Sequence, residues 1–79
     1  MKYVYILRCV RDPSRRYFGV TGDLKRRLRE HNLGGCSFTS RFGPWALETY
    51  VGFSDAKKAL DFEKYLKTGS GQAFSRKRF

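Results

Sequence analysis

The sequence predicts an α+β domain, a small three-stranded antiparallel sheet with helices packed on it, in the order ββαβα plus a short C-terminal helix. Two kinds of pattern lead there. Three segments are rich in β-branched and aromatic residues and alternate in hydrophobicity, the mark of strands. Two others carry apolar residues at helical spacing. A chain of 79 residues fits one domain, expected to span residues 1–79, with a small core. Seven Phe, five Tyr and one Trp must supply much of that core.

"KYVYILRCV" is the first strand, with Tyr3, Tyr5, Leu7 and Cys9 on one face and Val4, Ile6, Arg8 and Val10 on the other. "RDPSR" is a turn and "RYFGV" a second strand, so the two form a hairpin. "TGDLKRRLREHN" reads as a helix capped by Thr21, helped by Asp23 and ended by Asn32, Gly34 and Gly35. Its apolar pair Leu24 and Leu28 belongs to a stripe that Arg27 and His31 complete, so a charged and a titratable residue point inward.

"LGGCSFTSRFGP" is a loop, and "WALETYVGF" a third strand with Trp45, Leu47, Thr49, Val51 and Phe53 on one face. "SDAKKALDFEKYLK" is a second helix, capped by Ser54, with an inward stripe of Ala56, Ala59, Leu60, Glu63 and Leu66. "GSG" breaks it at Gly69, and "QAFSRKRF" forms the short last helix.

Charge narrows the function. Lys and Arg number 17 against 7 acids, a net charge of +10 that attracts polyanions. Nucleic acid is the expected partner; an anionic membrane surface is the competitor. No apolar run approaches the roughly 20 residues of a spanning helix. "MKYVYILRC" lacks a small-residue cleavage site and reads as a strand, so no membrane partner and a cytoplasmic location are expected. Cys9, Cys36 and a single His offer no zinc spacing, and the thiols are expected to stay reduced.

Arg27, His31 and Glu63 are the chemically suggestive residues, since an unpaired buried charge costs several kcal/mol. One reading is an Arg27–Glu63 salt bridge stapling two helices. The other is a site. The ordered set of "YVY" at residues 3–5, "YFG" at 17–19, Arg27, His31 and "ALDFEKYLK" resembles the GIY-YIG nuclease family, over nearly the whole chain. "GPWALETYVGF" and "FEKYLKTGSGQAFSRKRF" are similar to its compact stand-alone branch, close to the excinuclease-C-like proteins and so to the N-terminal nuclease domain of the excision-repair members.

The resemblance implies a DNA endonuclease using one divalent cation, Mg²⁺ or Mn²⁺, in repair or in processing of structured DNA. It implies Tyr5, Tyr17, Arg27, His31 and Glu63 as catalytic residues. Glu63 would be the metal ligand, Arg27 a donor to the phosphate and Tyr17 the base, with Tyr5 orienting water or phosphate and His31 orienting Tyr5 or relaying a proton. Lys25, Arg26, Arg29, Arg41, Arg76, Lys77 and Arg78 read as contacts to the DNA backbone.

The sequence departs from the family pattern in four places. The first motif lacks its Gly and Ile, Phe18 replaces Ile in the second, Val20 stands where some members have Lys, and the late Asn has no clear counterpart. A non-cleaving nucleic-acid-binding domain of the same fold is therefore the alternative. The small size suggests a homodimer or a protein partner.

Overall fold

A computed structural model describes residues 1–34 and 39–79, with only the backbone of Ser40. Gly35 and Cys36 of the expected loop, with Ser37 and Phe38, lie outside the described residues. The strands are β1 (Lys2–Cys9), β2 (Arg16–Thr21) and β3 (Trp45–Phe53), and the helices are α1 (Leu24–Asn32), α2 (Ala56–Leu66) and α3 (Gly69–Arg78). A 3-10 turn at Thr39–Arg41 precedes β3.

The sheet is antiparallel in the order β2-β1-β3, so β1 is central. Both its edges are therefore paired, and with helices on both faces it is buried at Val4, Tyr5, Ile6, Leu7 and Cys9. Val4, Ile6 and Phe18 pack with Ala59 and Leu66 of α2, and Phe53, Phe62 and Phe74 join them. On the other face Tyr5, Leu7, Cys9 and Trp45 pack with Tyr17, Leu24, Leu28 and Phe42. Thus α1 covers one face, and α2 with α3 covers the other. Full burial of a side chain such as Ile6 or Leu7 contributes roughly 1.5–3 kcal/mol.

A bulge breaks the simple alternation expected for β3. Ile6 pairs with Thr49 and Leu7 with Leu47, so Glu48 has no partner in β1. Trp45 and Leu47 consequently share the Tyr5 face, whereas Val51 and Phe53 fall on the Val4 face. The inward stripe of α2 also differs from expectation. Ala56 and Leu60 are exposed, and Ala59, Phe62 and Leu66 face the sheet, because the large Phe62 ring meets Phe53 at 5.5 Å between centroids.

The helix ends differ by a residue or two from the sequence reading. Asp23, not Thr21, caps α1 by accepting from Arg26 N at 3.1 Å, while Thr21 Oγ1 accepts from Asp23 N. Asp55, not Ser54, caps α2 through Lys57 N and Lys58 N. At these positions a carboxylate satisfies orphan N–H groups and complements the helix dipole. "GSG" opens α3 rather than only breaking α2, because Thr68 caps it through Gly71 N. Gly34, at φ 81°, follows α1 in the left-handed conformation that ends helices.

Gly19 lies opposite Tyr5, and a Cβ there would overlap the Tyr5 Oη and Cζ atoms. The second motif thus needs its glycine so that the tyrosine of the first can lie flat across the hairpin. Gly19→Ala is expected to destabilise the domain by about 1–3 kcal/mol through overpacking. Gly69→Ala meets open space and is expected to be neutral or to stabilise by up to about 1 kcal/mol. Urea denaturation of both variants checks this; equal effects would contradict it.

Candidate active site

The hairpin register builds the first wall. Tyr5 pairs with Gly19 and Leu7 with Tyr17, so both tyrosines project from the same face, ring centroids 6.3 Å apart. Helix α1 then lays Leu24 and Leu28 on that face. The same stripe carries Arg27 and His31 to the tyrosines. His31 is 1% exposed, and its ring stands edge-on to Tyr17 at 4.8 Å between centroids.

Tyr5 is the joint of the cluster. Its Oη lies 2.9 Å from His31 Nε2, and Arg27 Nε donates to the same oxygen at 3.4 Å. His31 Nδ1 lies 2.8 Å from Thr39 Oγ1. Because Arg27 already donates to the phenol oxygen, the phenol proton is best placed on the line to Nε2. That leaves Nδ1–H to donate to Thr39. Burial, then the positive charge of Arg27, hold the His31 pKa below its usual 6.5, with Glu30 opposing. The imidazole is neutral at pH 7, as an acceptor for Tyr5 must be.

Thr39 and Glu30 are the residues that sequence reasoning passed over. Thr39 is fully buried; its carbonyl accepts from Trp45 Nε1 at 2.9 Å, which anchors it to β3. Asn32 ties the end of α1 to the same place, accepting from Trp45 N and donating to Trp45 O. No periodicity marks a threonine in a loop. Glu30 was within reach, since its spacing from Arg27 puts both on one helix face; its Oε1 accepts from Arg27 Nη1 at 3.0 Å.

Glu63 is placed differently. It belongs to α2, on the opposite side of the sheet, and its carboxylate pairs with Lys67 Nζ at 2.6 Å. Both residues form helix-local pairs, Arg27–Glu30 and Glu63–Lys67, and not the helix-to-helix staple that was the other reading of Arg27 and Glu63. The described contacts unite Tyr5, Tyr17, Arg27 and His31 and do not include Glu63. No group of three metal-ligating side chains occurs among the described residues. A lone, largely covered carboxylate does not suit zinc, which takes four protein ligands in a structural site. It does suit Mg²⁺, which keeps several waters and uses substrate phosphate oxygens.

The expected DNA contacts divide between two sides. Lys25, Arg26 and Arg29 are exposed on α1, and Arg41 is exposed in the 3-10 turn. Arg76, Lys77 and Arg78 are exposed on α3, across the sheet from α1. Cys9 is a buried free thiol donating to Phe42 O. No helix among the described residues is long and apolar enough to cross a membrane.

A hairpin presenting two tyrosines to an arginine and a histidine of the following helix is the architecture that the motif resemblance implies. The GIY-YIG catalytic domain matches residues 1–77, and the chain belongs to that family. It is 44% identical over 71 residues to the structure-specific endonuclease subunit SLX1 of Candida dubliniensis, covering 81% of this chain and 25% of that protein. The SLX1 homolog of Giardia intestinalis is 42% identical over 65 residues, 77% of this chain and 18% of that one. The chain thus spans a quarter or less of these relatives. The UPF0213 protein CPE1444 of Clostridium perfringens is nearer in size: 40% identity over 68 residues, 85% of this chain and 71% of that protein. A solution structure of the UPF0213 protein BH0048 from Bacillus halodurans superposes with a TM-score of 0.57 at 30% identity, over 98% of this chain and 84% of that one.

The lowered His31 pKa sets a pH dependence. The unfolded chain protonates His31 near 6.5, whereas the folded one resists until a lower pH. Below 6.5 the unfolded state therefore binds more protons, and stability falls as pH drops toward the folded pKa. Urea denaturation between pH 7.5 and 5 is expected to show this loss, as ~1.4 kcal/mol per pH unit at most from one group. His31→Gln should flatten it; an unchanged slope would contradict the assignment.

Proposed function

We propose that the chain is a metal-dependent endonuclease that hydrolyses phosphodiester bonds in structured DNA. One observation carries this reading: Arg27, Tyr17 and the Tyr5–His31 pair converge on one face of the hairpin, in a family defined by a catalytic domain. The net charge of +10 and the SLX1 relatives, whose name is structure-specific endonuclease, support DNA as the substrate.

Each residue then has a task suited to its setting. Arg27 is about one-third exposed, so its guanidinium can turn donors toward a scissile phosphate while Nε stays on Tyr5. Tyr17 is only half-buried, and water can reach it; it is the candidate base. Tyr5 is 2% exposed and positions the site rather than meeting bulk water. Neutral His31 accepts from Tyr5 and keeps the phenol oriented. Glu63, on α2 across the β2 edge of the sheet from Arg27, would leave Lys67 and hold Mg²⁺ or Mn²⁺ where a DNA backbone wraps that edge. The ion would supply charge neutralisation at the phosphate and leaving oxygen when bound.

Val20, where some members carry Lys, pairs with Val4 and packs in the opposite core. It cannot tune the tyrosines. Arg27 touches the Tyr5 phenol instead. Lys25, Arg26, Arg29, Arg41, Arg76, Lys77 and Arg78 would bind phosphates without reading sequence. A cytoplasmic setting and a second copy or protein partner belong to the same proposal.

Cleavage of a panel of supercoiled, flap and branched DNA with Mg²⁺ or Mn²⁺ tests it. Glu63→Ala is expected to reduce turnover by about 10²–10³ while DNA binding persists. Tyr17→Phe removes one oxygen and should cost about 10²–10⁴ in turnover. Near-normal turnover of Tyr17→Phe excludes Tyr17 as base. Absence of cleavage by the unmodified chain across the panel would leave a non-cleaving DNA-binding domain.

A further inference from the structure

A pocket of about 340 Å³ opens on the side of the sheet away from Tyr17 and His31. Pro13 and Ser14 of the β1–β2 turn, Arg16 of β2, Glu48 of β3, and Arg76 and Phe79 of the α3 end line it. The volume lies at the lower end of small-ligand sites. It suits one nucleotide, not a duplex.

The pocket is built around a fixed arginine. Arg16 is 13% exposed at its side chain, and its Nε and Nη2 donate to Glu48 Oε1 at 3.1 and 2.7 Å. Its Nη1 donates to Ser75 Oγ of α3 at 3.2 Å. Glu48 lies on this side of β3, opposite Trp45 and Leu47. Such a pair contributes little to stability over an apolar pair of equal volume. Its position in a pocket wall therefore invites a binding role.

The groups left open define the ligand. Glu48 Oε1 serves Arg16 Nε and Nη2, while among the described residues Oε2 meets only Arg8, at 3.9 Å, beyond hydrogen-bond range. An acceptor thus remains beside the unused N–H groups of Arg16. Phe79 is 41% exposed, its ring held edge-to-face on Phe74 at 5.5 Å, so an aromatic surface is presented. Arg76 makes no ion pair among the described residues. A free inorganic anion would be repelled by Glu48, and a purely apolar ligand would strand Arg16. A flat base edge with both donors and acceptors, a face that stacks and an attached phosphate satisfies all four groups.

We propose that this pocket receives one unpaired nucleotide of the DNA substrate, splayed out of the duplex. The DNA source rests on the endonuclease reading, whereas the nucleotide chemistry rests on the pocket. The α3 basic residues would then hold one arm of a branched substrate while another meets α1.

The test compares binding of the full chain to two branched DNAs, one fully paired and one with a single unpaired 2-aminopurine at the branch. Anisotropy is expected to show roughly tenfold tighter binding of the second, within the range of base–aromatic stacking, with 2-aminopurine quenching. Phe79→Leu, which keeps an apolar contact on Phe74, should abolish the preference and the quenching; Phe79→Trp should retain both. No preference in the unmodified chain, or an undiminished one in Phe79→Leu, overturns the pocket. Equal affinity for a free deoxynucleoside monophosphate overturns the DNA source. Cleavage of the two branched DNAs separates the two readings. If neither is cut while the preference holds, the endonuclease reading fails and the pocket stands. If either is cut without the preference, only the pocket fails.

Discussion

The Tyr5 phenol is the point on which the rest of the site hangs. It is buried in the central strand, yet its oxygen joins two side chains of α1, Arg27 and His31. A polar group buried this deeply is costly unless satisfied. The hydrogen bonds at Tyr5 therefore hold α1 against the hairpin at a defined height. Gly19 makes room for the ring, Thr39 fixes the far side of His31, and Trp45 and Asn32 fix Thr39 and the end of α1. Each neighbour is there because the previous one needs a partner.

The same sheet supports two chemistries because β1 alternates. Its Tyr5 face meets α1 and carries the tyrosine, arginine and histidine group. Its Val4 face meets α2 and α3 and carries the apolar cluster and, at one end, Arg16 with Glu48. The β3 bulge adds to this division: Trp45 and Leu47 stay on the Tyr5 face, and beyond the extra residue Val51 and Phe53 join the Val4 face. The basic residues follow the helices to both sides, so positive charge covers two faces rather than one.

Patterning makes much of this legible. The three strands, the two main helices and the inward position of Arg27 and His31 follow from periods of 2 and 3.6. The motif order leads to Tyr5 and Tyr17. What escapes has physical causes. A bulge has no period, so simple alternation misjoins the β3 faces beyond Leu47. Phe62 outweighs Leu60 in filling the space under α2, which volume decides and periodicity does not. The caps fall on Asp23 rather than Thr21 and on Asp55 rather than Ser54, since all four side chains can cap. Thr39 is a long-range partner in a loop, invisible to local rules. Glu63 stands out by its place in the α2 stripe, its metal-binding role comes from the motif, and its ion pair, with Lys67, is local to α2.

His31 offers the most direct measurement, because it is the single histidine of the chain and its ring resonances are unambiguous. Long-range ¹H–¹⁵N correlation spectra of its side chain report tautomer and charge together. The Tyr5–His31–Thr39 chain predicts, at pH 7, a neutral ring with the proton on Nδ1, and a titration midpoint below 6.5. A ring protonated on Nε2, or one already half charged at or above pH 6.5, would contradict it.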